Sequence, residues 1–171
     1  MAKLQLQYYP AEVLRAQAKK ITRVDSSVRR LAQDMLDTMY ANNGVGLAAP
    51  QVAKSKRLFV MDCSGGEDPS QKIAVVNPEI VHTEGAQIGE EGCLSFPGIF
   101  QKIQRNQRTI VRGQDVAGNW FELDGGDLTA RCVLHETDHC DGIVFLDRMT
   151  PLKRELAKRK IKKLQRTGEW D

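Results

Sequence analysis

The chain has 171 residues, of which 41% are hydrophobic and 27% are charged, and its formal net charge is +3. This composition is typical of a globular protein and contains no apolar run of membrane-spanning length, so we expect one domain over residues 1–171 and no membrane partner. The amino terminus lacks the apolar segment of a signal peptide, and four cysteines are too few for a disulfide scaffold. We therefore expect a cytoplasmic protein with reduced thiols.

Helix signals dominate the first quarter of the chain. Pro10 precedes a short helix predicted over residues 11–18. Asp25 is a candidate amino-terminal cap for a second helix, which has apolar residues every three or four positions and ends near Asn42-Asn43-Gly44. Residues 44–51, Gly-Val-Gly-Leu-Ala-Ala-Pro-Gln, favour an ordinary loop when taken alone.

Short strands are predicted in the middle of the chain, over residues 57–62, 73–76 with a continuation at 80–83, and as a pair at 109–112 and 119–123. His82 alternates with apolar neighbours, so we expect it on a sheet surface. Strands that precede helices in this way favour an α+β fold over an alternating α/β fold.

Two further helices are predicted near the carboxy terminus. Residues 124–127 supply turn and cap residues for the first, and Asp141-Gly142 ends it. Thr150-Pro151 begins the second, which continues to about Arg166 and has apolar positions that would pack on the body of the protein, namely Leu152, Leu156, Ile161 and Leu164. Residues 151–171 carry a net charge of +5 and the rest of the chain −2, which indicates an anionic partner for this segment.

The strongest chemical signal is the motif His135-Glu136-Thr137-Asp138-His139. Histidines at positions i and i+4 lie on one helix face and can bind one metal ion, with Glu136 as the proton acceptor for a water on that ion. Leu128 and Cys132 share this face. The alternative is a helix whose histidines are only packed or solvated.

Two histidines are fewer than the three protein ligands of a typical catalytic metal site. Phe145 stands where a metzincin has its third histidine. The later glutamates, Glu155 and Glu169, lie in or after the basic helix, so a zinc endopeptidase is a weak interpretation.

Cysteine is the remaining type of ligand. Cys140 follows His139 directly and points about 100° away from it on a helix, which makes it a poor candidate. Cys132 lies on the correct face, and Cys93 lies on a separate segment. Spacing alone leaves both open as the third ligand, and either set would suit zinc or a similar divalent ion.

Three separated stretches, residues 44–51, 91–95 and 135–139, together resemble the bacterial peptide deformylases. The resemblance implies an α+β fold with small antiparallel sheets around a central HExxH metal-binding helix and a carboxy-terminal helix. It also implies a hydrolase that removes the N-formyl group from the amino-terminal formyl-methionine of nascent polypeptides and releases formate.

The resemblance further implies a role for individual residues. Cys93, His135 and His139 would bind one Fe2+, which Zn2+, Ni2+ or Co2+ can replace, and Glu136 would be the catalytic carboxylate. The Gln51 side-chain amide and the Leu94 backbone amide would stabilise negative charge on the formyl oxygen. The residues lining the substrate cleft would be Val45, Gly46, Gly92, Leu128 and Cys132.

Two positions depart from the family pattern around the methionine pocket, because Gly89 and Arg131 stand where some relatives carry aliphatic residues. The resemblance also implies that the basic helix over residues 152–166 docks near the ribosomal exit tunnel, and DNA is not an expected partner. A non-enzymatic RNA-binding module with a structural metal is a third hypothesis, but such a site has no use for a base at Glu136.

Overall fold

The computed structural model describes residues 3–170. Its α-helices are α1 (Ser26–Ala41), α2 (Asp127–Cys140) and α3 (Pro151–Arg166). Its strands are β1 (Gly46–Ala48), β2 (Leu58–Met61), β3 (Ile73–Glu84), β4 (Gln87–Gly92), β5 (Phe100–Arg105), β6 (Arg108–Gln114) and β7 (Trp120–Gly126). Short 3-10 helices cover Glu12–Leu14, Ala49–Val52, Pro69–Gln71 and Phe145–Arg148. The fold is α+β, as predicted.

The strands form two antiparallel sheets. A five-stranded sheet has the order β1-β2-β3-β6-β7, and β4 and β5 form a separate two-stranded sheet. The first part of β3 pairs with β2 and the remainder pairs with β6, so this strand joins the two halves of the larger sheet. Helix α2 packs against β1, β2, β6 and β7, which places it at the centre of the molecule.

Helix α1 forms for the reasons that the sequence indicated. The Asp25 side chain accepts hydrogen bonds from the backbone amides of Ser27 and Val28, and this caps the amino terminus of the helix. The apolar face, including Met35 and Met39, is fully buried against β1 and β2. The helix ends at Ala41, immediately before the Asn42-Asn43-Gly44 stop signal.

Two predictions for the first fifty residues are wrong. The helix predicted over residues 11–18 is only one turn, Glu12–Leu14, because the backbone amides of Ala18 and Lys19 bond instead to the carbonyls of Cys140 and Ser55. Residues 44–51 are also more than a loop, since strand β1 pairs with β2 and a 3-10 turn follows it.

Residues 124–127 were predicted to supply a turn and the cap of the next helix, and the turn part of that prediction is wrong. Strand β7 continues to Gly126, and Asp124 and Gly125 pair with Ile110 and Thr109 of β6. Helix α2 therefore begins directly after the strand, with Gly126 at the cap position and no capping side chain. The abrupt transition brings the sheet edge close to the first turn of α2.

Helix α3 docks through its second half. Ala157 and Ile161 are buried, and Leu164 packs against the same apolar cluster. Leu152 and Leu156 were expected to dock as well but are 72% and 49% exposed. The start of the helix is attached to the body through polar contacts instead, since Lys153 and Arg154 donate to the carbonyls of Lys102 and Leu146. Trp170 is buried beyond the helix, and its indole N–H donates to the carbonyl of Tyr9 at 2.6 Å. Within residues 3–170, no helix is both long and apolar enough to cross a membrane.

Candidate active site

A cavity of about 590 Å³ opens beside α2, whose second half carries the motif of residues 135–139. Its walls come from the segment around β1, from the end of β4 and the residues after it, and from one face of α2. Ten of the eleven residues predicted to form the site line it: Val45, Gly46, Gln51, Gly92, Cys93, Leu94, Leu128, Cys132, His135 and Glu136. The eleventh, His139, is fully buried beneath it.

Three potential ligands converge at the floor of this cavity. The ligand atoms of Cys93, His135 and His139 all lie within 4.8 Å of one another. The Cys93 Sγ and His139 Nε2 atoms are 3.4 Å apart. Ligands around a tetrahedral ion are separated by roughly this distance when the bonds are about 2.0–2.3 Å long. One thiol and two imidazoles therefore fit a divalent transition metal in both spacing and chemistry.

The other two cysteines near the helix are placed differently. Cys132, which the sequence left open as a ligand, lies outside this group, and its Sγ is 3.6 Å from the carbonyl oxygen of Val45. Cys140 is fully buried, and burial raises the pKa of its thiol to about 12. Phe145 is buried in the apolar core, so it replaces the third histidine of a metzincin with a packing residue.

Glu91 fixes the orientation of the His135 ring. Its Oε2 atom lies 2.7 Å from Nδ1 of His135, which leaves Nε2 to face the ligand group. Arg105 donates to both oxygens of Glu91, and Arg131 donates to Oε1 at 3.0 Å. Burial alone would raise the pKa of the Glu91 carboxyl, but the hydrogen bonds from His135 and Arg105 hold it well below its usual range.

Sequence reasoning missed this supporting network. Arg105 also donates to Asp138 at 2.6 Å, and Asp138 accepts two further bonds from Arg148. The network joins β5, α2 and the turn after α2. Glu91 lies inside a stretch that the sequence singled out, and Asp138 lies within the histidine motif, but nothing in the sequence marks Arg105 as their common partner.

Glu136 is buried beside the ligand group. Its Oε1 atom is 3.9 Å from Nε2 of His135, and its Oε2 atom has no hydrogen-bond partner among the described residues. Burial raises the pKa of this carboxyl to about 7, and a cation bound to the neighbouring ligands would oppose that shift. An unpartnered carboxylate in this position can accept and return a proton.

The Gln51 amide is held in one orientation. Its Oε1 atom accepts a hydrogen bond from the Ala48 backbone amide at 2.9 Å. Its Nε2 atom is consequently directed at the Cys93 Sγ and at the Ser95 Oγ, at 3.5 and 3.1 Å. The backbone amide of Leu94 makes no hydrogen bond with any residue in 3–170. Two N–H donors therefore flank the cysteine ligand.

Glycine is required where the walls of the cavity come closest together. A Cβ atom on Gly46 would lie 2.8 Å from the Cys132 Sγ and 2.9 Å from the Glu136 Oε1. A Cβ atom on Gly92 would lie 2.6 Å from the ring of Phe100. Both distances are shorter than van der Waals contact, so neither position can carry a side chain without local movement.

Gly89 and Arg131 are complementary in size. Arg131 is buried, and a Cβ atom on Gly89 would lie only 3.1 Å from its Nη2 atom. The Nη1 atom of Arg131 donates to Glu91 and to the carbonyl of Ile103, whereas Nη2 has no partner among the described residues. The missing side chain at position 89 thus makes room for the guanidinium at the cavity wall.

Comparison with known proteins identifies the family of the chain. The family model described as polypeptide deformylase matches residues 3–155. The chain belongs to the polypeptide deformylase family. A peptide deformylase from Acidobacterium capsulatum is 49% identical over 95% of each chain, and one from Thermodesulfovibrio yellowstonii is 45% identical over 95% of this chain and 98% of its own.

Solved structures of peptide deformylases share the fold. The crystal structure of the Legionella pneumophila protein superposes with a TM-score of 0.91 at 43% identity and covers 99% of both chains. The Synechococcus elongatus protein, crystallised in complex with actinonin, has a TM-score of 0.87 at 38% identity, covering 92% of this chain and 86% of its own. Peptide deformylases are metal-dependent hydrolases that remove the N-formyl group from the formyl-methionine of new polypeptides, and this is the activity of the chain.

Proposed function

We propose that deformylation takes place in the cavity beside α2, at a divalent ion held by Cys93, His135 and His139, with Glu136 as the group that carries the proton. The observation behind this proposal is the convergence of one thiol and two imidazoles next to a buried carboxylate oxygen that has no partner. A purely structural metal site would not need that carboxylate.

Fe2+ is our proposed resident ion, and Zn2+, Ni2+ or Co2+ would fit the same three donors. When bound, such an ion supplies a Lewis acid and lowers the pKa of a coordinated water. The protein's contribution is to orient the ligands. Glu91 holds His135 through Nδ1, and Glu91 is itself held by Arg105 and Arg131. Partners of this kind stabilise metal binding.

Glu136 has the position and the environment to move a proton in two stages. It first accepts a proton from the attacking water, and it then delivers that proton to the amine nitrogen that leaves. Its buried Oε2 atom is not committed to any other group in the described chain. Since no competing hydrogen bond has to break, the carboxylate can serve both stages from one rotamer.

Gln51 and Leu94 would stabilise the negative charge that develops on the formyl oxygen. The Gln51 amide is fixed by the Ala48 backbone, so its N–H group needs no reorientation during the reaction. The Leu94 amide has no protein partner that would compete for it within residues 3–170. Loss of one such donor raises the activation barrier by about 3–4 kcal/mol.

The close approach of Gly46 to Cys132 and Glu136, where a Cβ atom on residue 46 has no room, suits a small acyl group. A formyl carbon bears only hydrogen beside its oxygen and nitrogen, so it needs less space than any larger acyl group. We place the methionine side chain against the remaining wall, formed by Val45, Gly92, Leu128 and Cys132.

Formate release from formyl-Met-Ala-Ser tests these roles, with protein purified without oxygen and metal measured on the same sample. Glu136→Gln keeps the size of the side chain but cannot accept the proton, so it should retain metal and lose most of the activity. Glu122→Gln, on the exposed part of β7, is the matched control. Full activity in the Glu136→Gln protein would refute the proposed role.

We also propose that α3 contacts ribosomal RNA near the exit tunnel. Three of its basic side chains bond to the body of the protein: Lys153, Arg154 and Lys160. The other five are exposed: Lys158, Arg159, Lys162, Lys163 and Arg166. The five exposed basic side chains form a cationic face that points away from the apolar docking face of Ala157 and Ile161. Such a cationic face suits the phosphate backbone of a nucleic acid.

Ribosome co-sedimentation over a series of salt concentrations tests this contact. Truncating the chain before the helix would also remove the buried Ile161 and Trp170, so we favour the double variant Lys162→Ser/Arg166→Ser. It should bind more weakly and with a smaller salt dependence, by about one unit of log–log slope for each lost phosphate contact. Lys54→Ser/Lys72→Ser removes the same charge elsewhere and should bind normally. Equal binding by the two double variants would contradict the proposal.

A further inference from the structure

The charged side chain of Arg131 lies in the wall of the cavity, among the residues to which we assign the methionine side chain of the substrate. It stands on α2 between Leu128 and Cys132, one turn before His135, and all four residues line the cavity. Because residues three or four positions apart share a helix face, Arg131 lies on the same face as Leu128 and His135. Its side chain is only 7% exposed, so the guanidinium belongs to the interior of the site and not to the outer surface.

The hydrogen-bonding capacity of this guanidinium is only partly used. Its Nη1 atom donates to the Glu91 Oε1 and to the carbonyl of Ile103, both at 3.0 Å. Its Nη2 atom is buried and has no hydrogen-bond partner among residues 3–170. Buried polar groups nearly always have a partner, and a charged donor without one carries a desolvation cost. The cavity wall therefore holds a charged N–H donor that a group from outside the chain can satisfy.

Gly89 keeps the Nη2 atom free of a covering side chain. It lies on β4 opposite Ile103 of β5. A Cβ atom on Gly89 would lie 3.1 Å from Nη2, 3.4 Å from Cζ and 3.6 Å from Nε of Arg131. Gly89 is not one of the glycines with a positive φ, so its backbone conformation does not require glycine. The missing side chain is explained instead by the space that the guanidinium needs.

We propose that Arg131 is a specificity-determining residue, whose Nη2 atom donates a hydrogen bond to an acceptor on the first side chain of the formylated peptide. The thioether sulfur of methionine is a weak acceptor, and the oxygen of methionine sulfoxide is a strong one. Peptides that begin with formyl-methionine sulfoxide are therefore substrates, although a wholly apolar pocket would reject their unpaired oxygen. This inference rests on the proposed function, because it assumes that the first side chain binds at this wall.

Three peptides that differ only in the first side chain test the proposal by formate release. They are formyl-Met-Ala-Ser, its sulfoxide, and the norleucine analogue, in which a methylene replaces the sulfur and no acceptor remains. In Arg131→Ile, the kcat/KM for the sulfoxide relative to norleucine should fall about 10–100-fold, which is the effect of losing a hydrogen bond from a charged donor. The preference for methionine over norleucine should narrow as well. Arg131→Lys keeps a charged donor and should recover part of the sulfoxide ratio.

Ratios between substrates separate recognition from a merely structural role. If Arg131 only held Glu91 in place, its loss would lower the activity on all three peptides by the same factor. Arg105→Gln removes another arginine partner of Glu91 and leaves Arg131, so its ratios should match those of the unmodified protein. Gly89→Val places a side chain against Nη2 and should lower the sulfoxide ratio while Arg131 is still present.

Two results would overturn the role of Arg131 alone. One is an unmodified protein that hydrolyses formyl-Met-Ala-Ser but not its sulfoxide. The other is a sulfoxide-to-norleucine ratio that is the same in the unmodified protein, Arg131→Ile and Gly89→Val. An unmodified, metal-loaded protein that releases no formate from any of the three peptides would instead refute the proposed function, and this inference with it.

Discussion

The carboxylate of Glu91 lies 2.7 Å from Nδ1 of His135, and this contact orients the first histidine of the metal-binding motif. Glu91 is two residues before Cys93, so one short stretch at the end of β4 supplies both a potential ligand and the carboxylate that positions His135. This contact joins the strand to the helix beside the three potential ligands.

Glu91→Gln should weaken metal binding without removing any ligand. The neutral amide of the variant cannot hold the His135 ring with the same strength as the carboxylate. The substitution also removes the negative charge to which Arg105 and Arg131 donate. We expect a decrease in metal affinity of about 10–100-fold, measured by competition with a chelator. Glu90→Gln, at the exposed neighbouring position, should bind metal normally. Unchanged affinity in Glu91→Gln would show that the histidine needs no such support.

Gln51→Leu should slow deformylation and retain the metal. It removes the N–H donor near Cys93, and we expect kcat to fall by about 10²–10³ with little change in metal content. Ser95→Ala removes the present partner of that amide at 3.1 Å while leaving the amide in place, so its effect should be much smaller. A kcat close to that of the unmodified protein in Gln51→Leu would contradict the assignment.

Gly89 and Arg131 should show energetic coupling. Gly89→Val places a side chain within about 3 Å of Nη2 of Arg131, so the guanidinium must move away from Glu91. Arg131→Ile in the same chain removes that conflict. We expect the double variant to lose less stability than the sum of the two single variants, by about 0.5–3 kcal/mol in chemical denaturation. Strict additivity would mean that the two positions do not share the space.

Helix α3 should depend on Ile161 for its docking and not on Leu152. Ile161→Ala removes a buried side chain and should lower the free energy of unfolding by about 2–5 kcal/mol. Leu152→Ala changes a side chain that is 72% exposed, so its effect should stay within about 0.5 kcal/mol. Equal losses in urea denaturation would show that the whole apolar strip packs on the body.

The sequence predicted the elements whose side chains follow ordinary burial rules. Helix α1 and strand β2 have apolar residues where the fold buries them, and α3 begins at the predicted Thr150-Pro151 signal. Strands β4 and β5 were missed because each exposes an apolar side chain and buries a charged one. Ile88 and Phe100 are 70% and 60% exposed, whereas Glu91 and Arg105 are buried around the site.

For the candidate site, the sequence and the family resemblance led to a predicted set of ligands, which stays a prediction, but not to the residues that hold those ligands in place. The spacing of His135 and His139 indicates a shared ion, and the resemblance to peptide deformylases implies Cys93 as the third ligand. Spacing alone could not separate Cys93 from Cys132, because the choice depends on how β4 meets α2. The role of Arg105 depends on the same long-range contact, so no local pattern reveals it.

X-ray absorption at the metal edge tests the proposed ligand set most directly. In iron-loaded protein kept under anaerobic conditions, we expect one sulfur at about 2.3 Å and two imidazole nitrogens at about 2.0–2.1 Å. The sulfur signal should disappear in Cys93→Ser and persist in Cys132→Ser. A spectrum without sulfur, or a sulfur that is lost only in Cys132→Ser, would contradict the account.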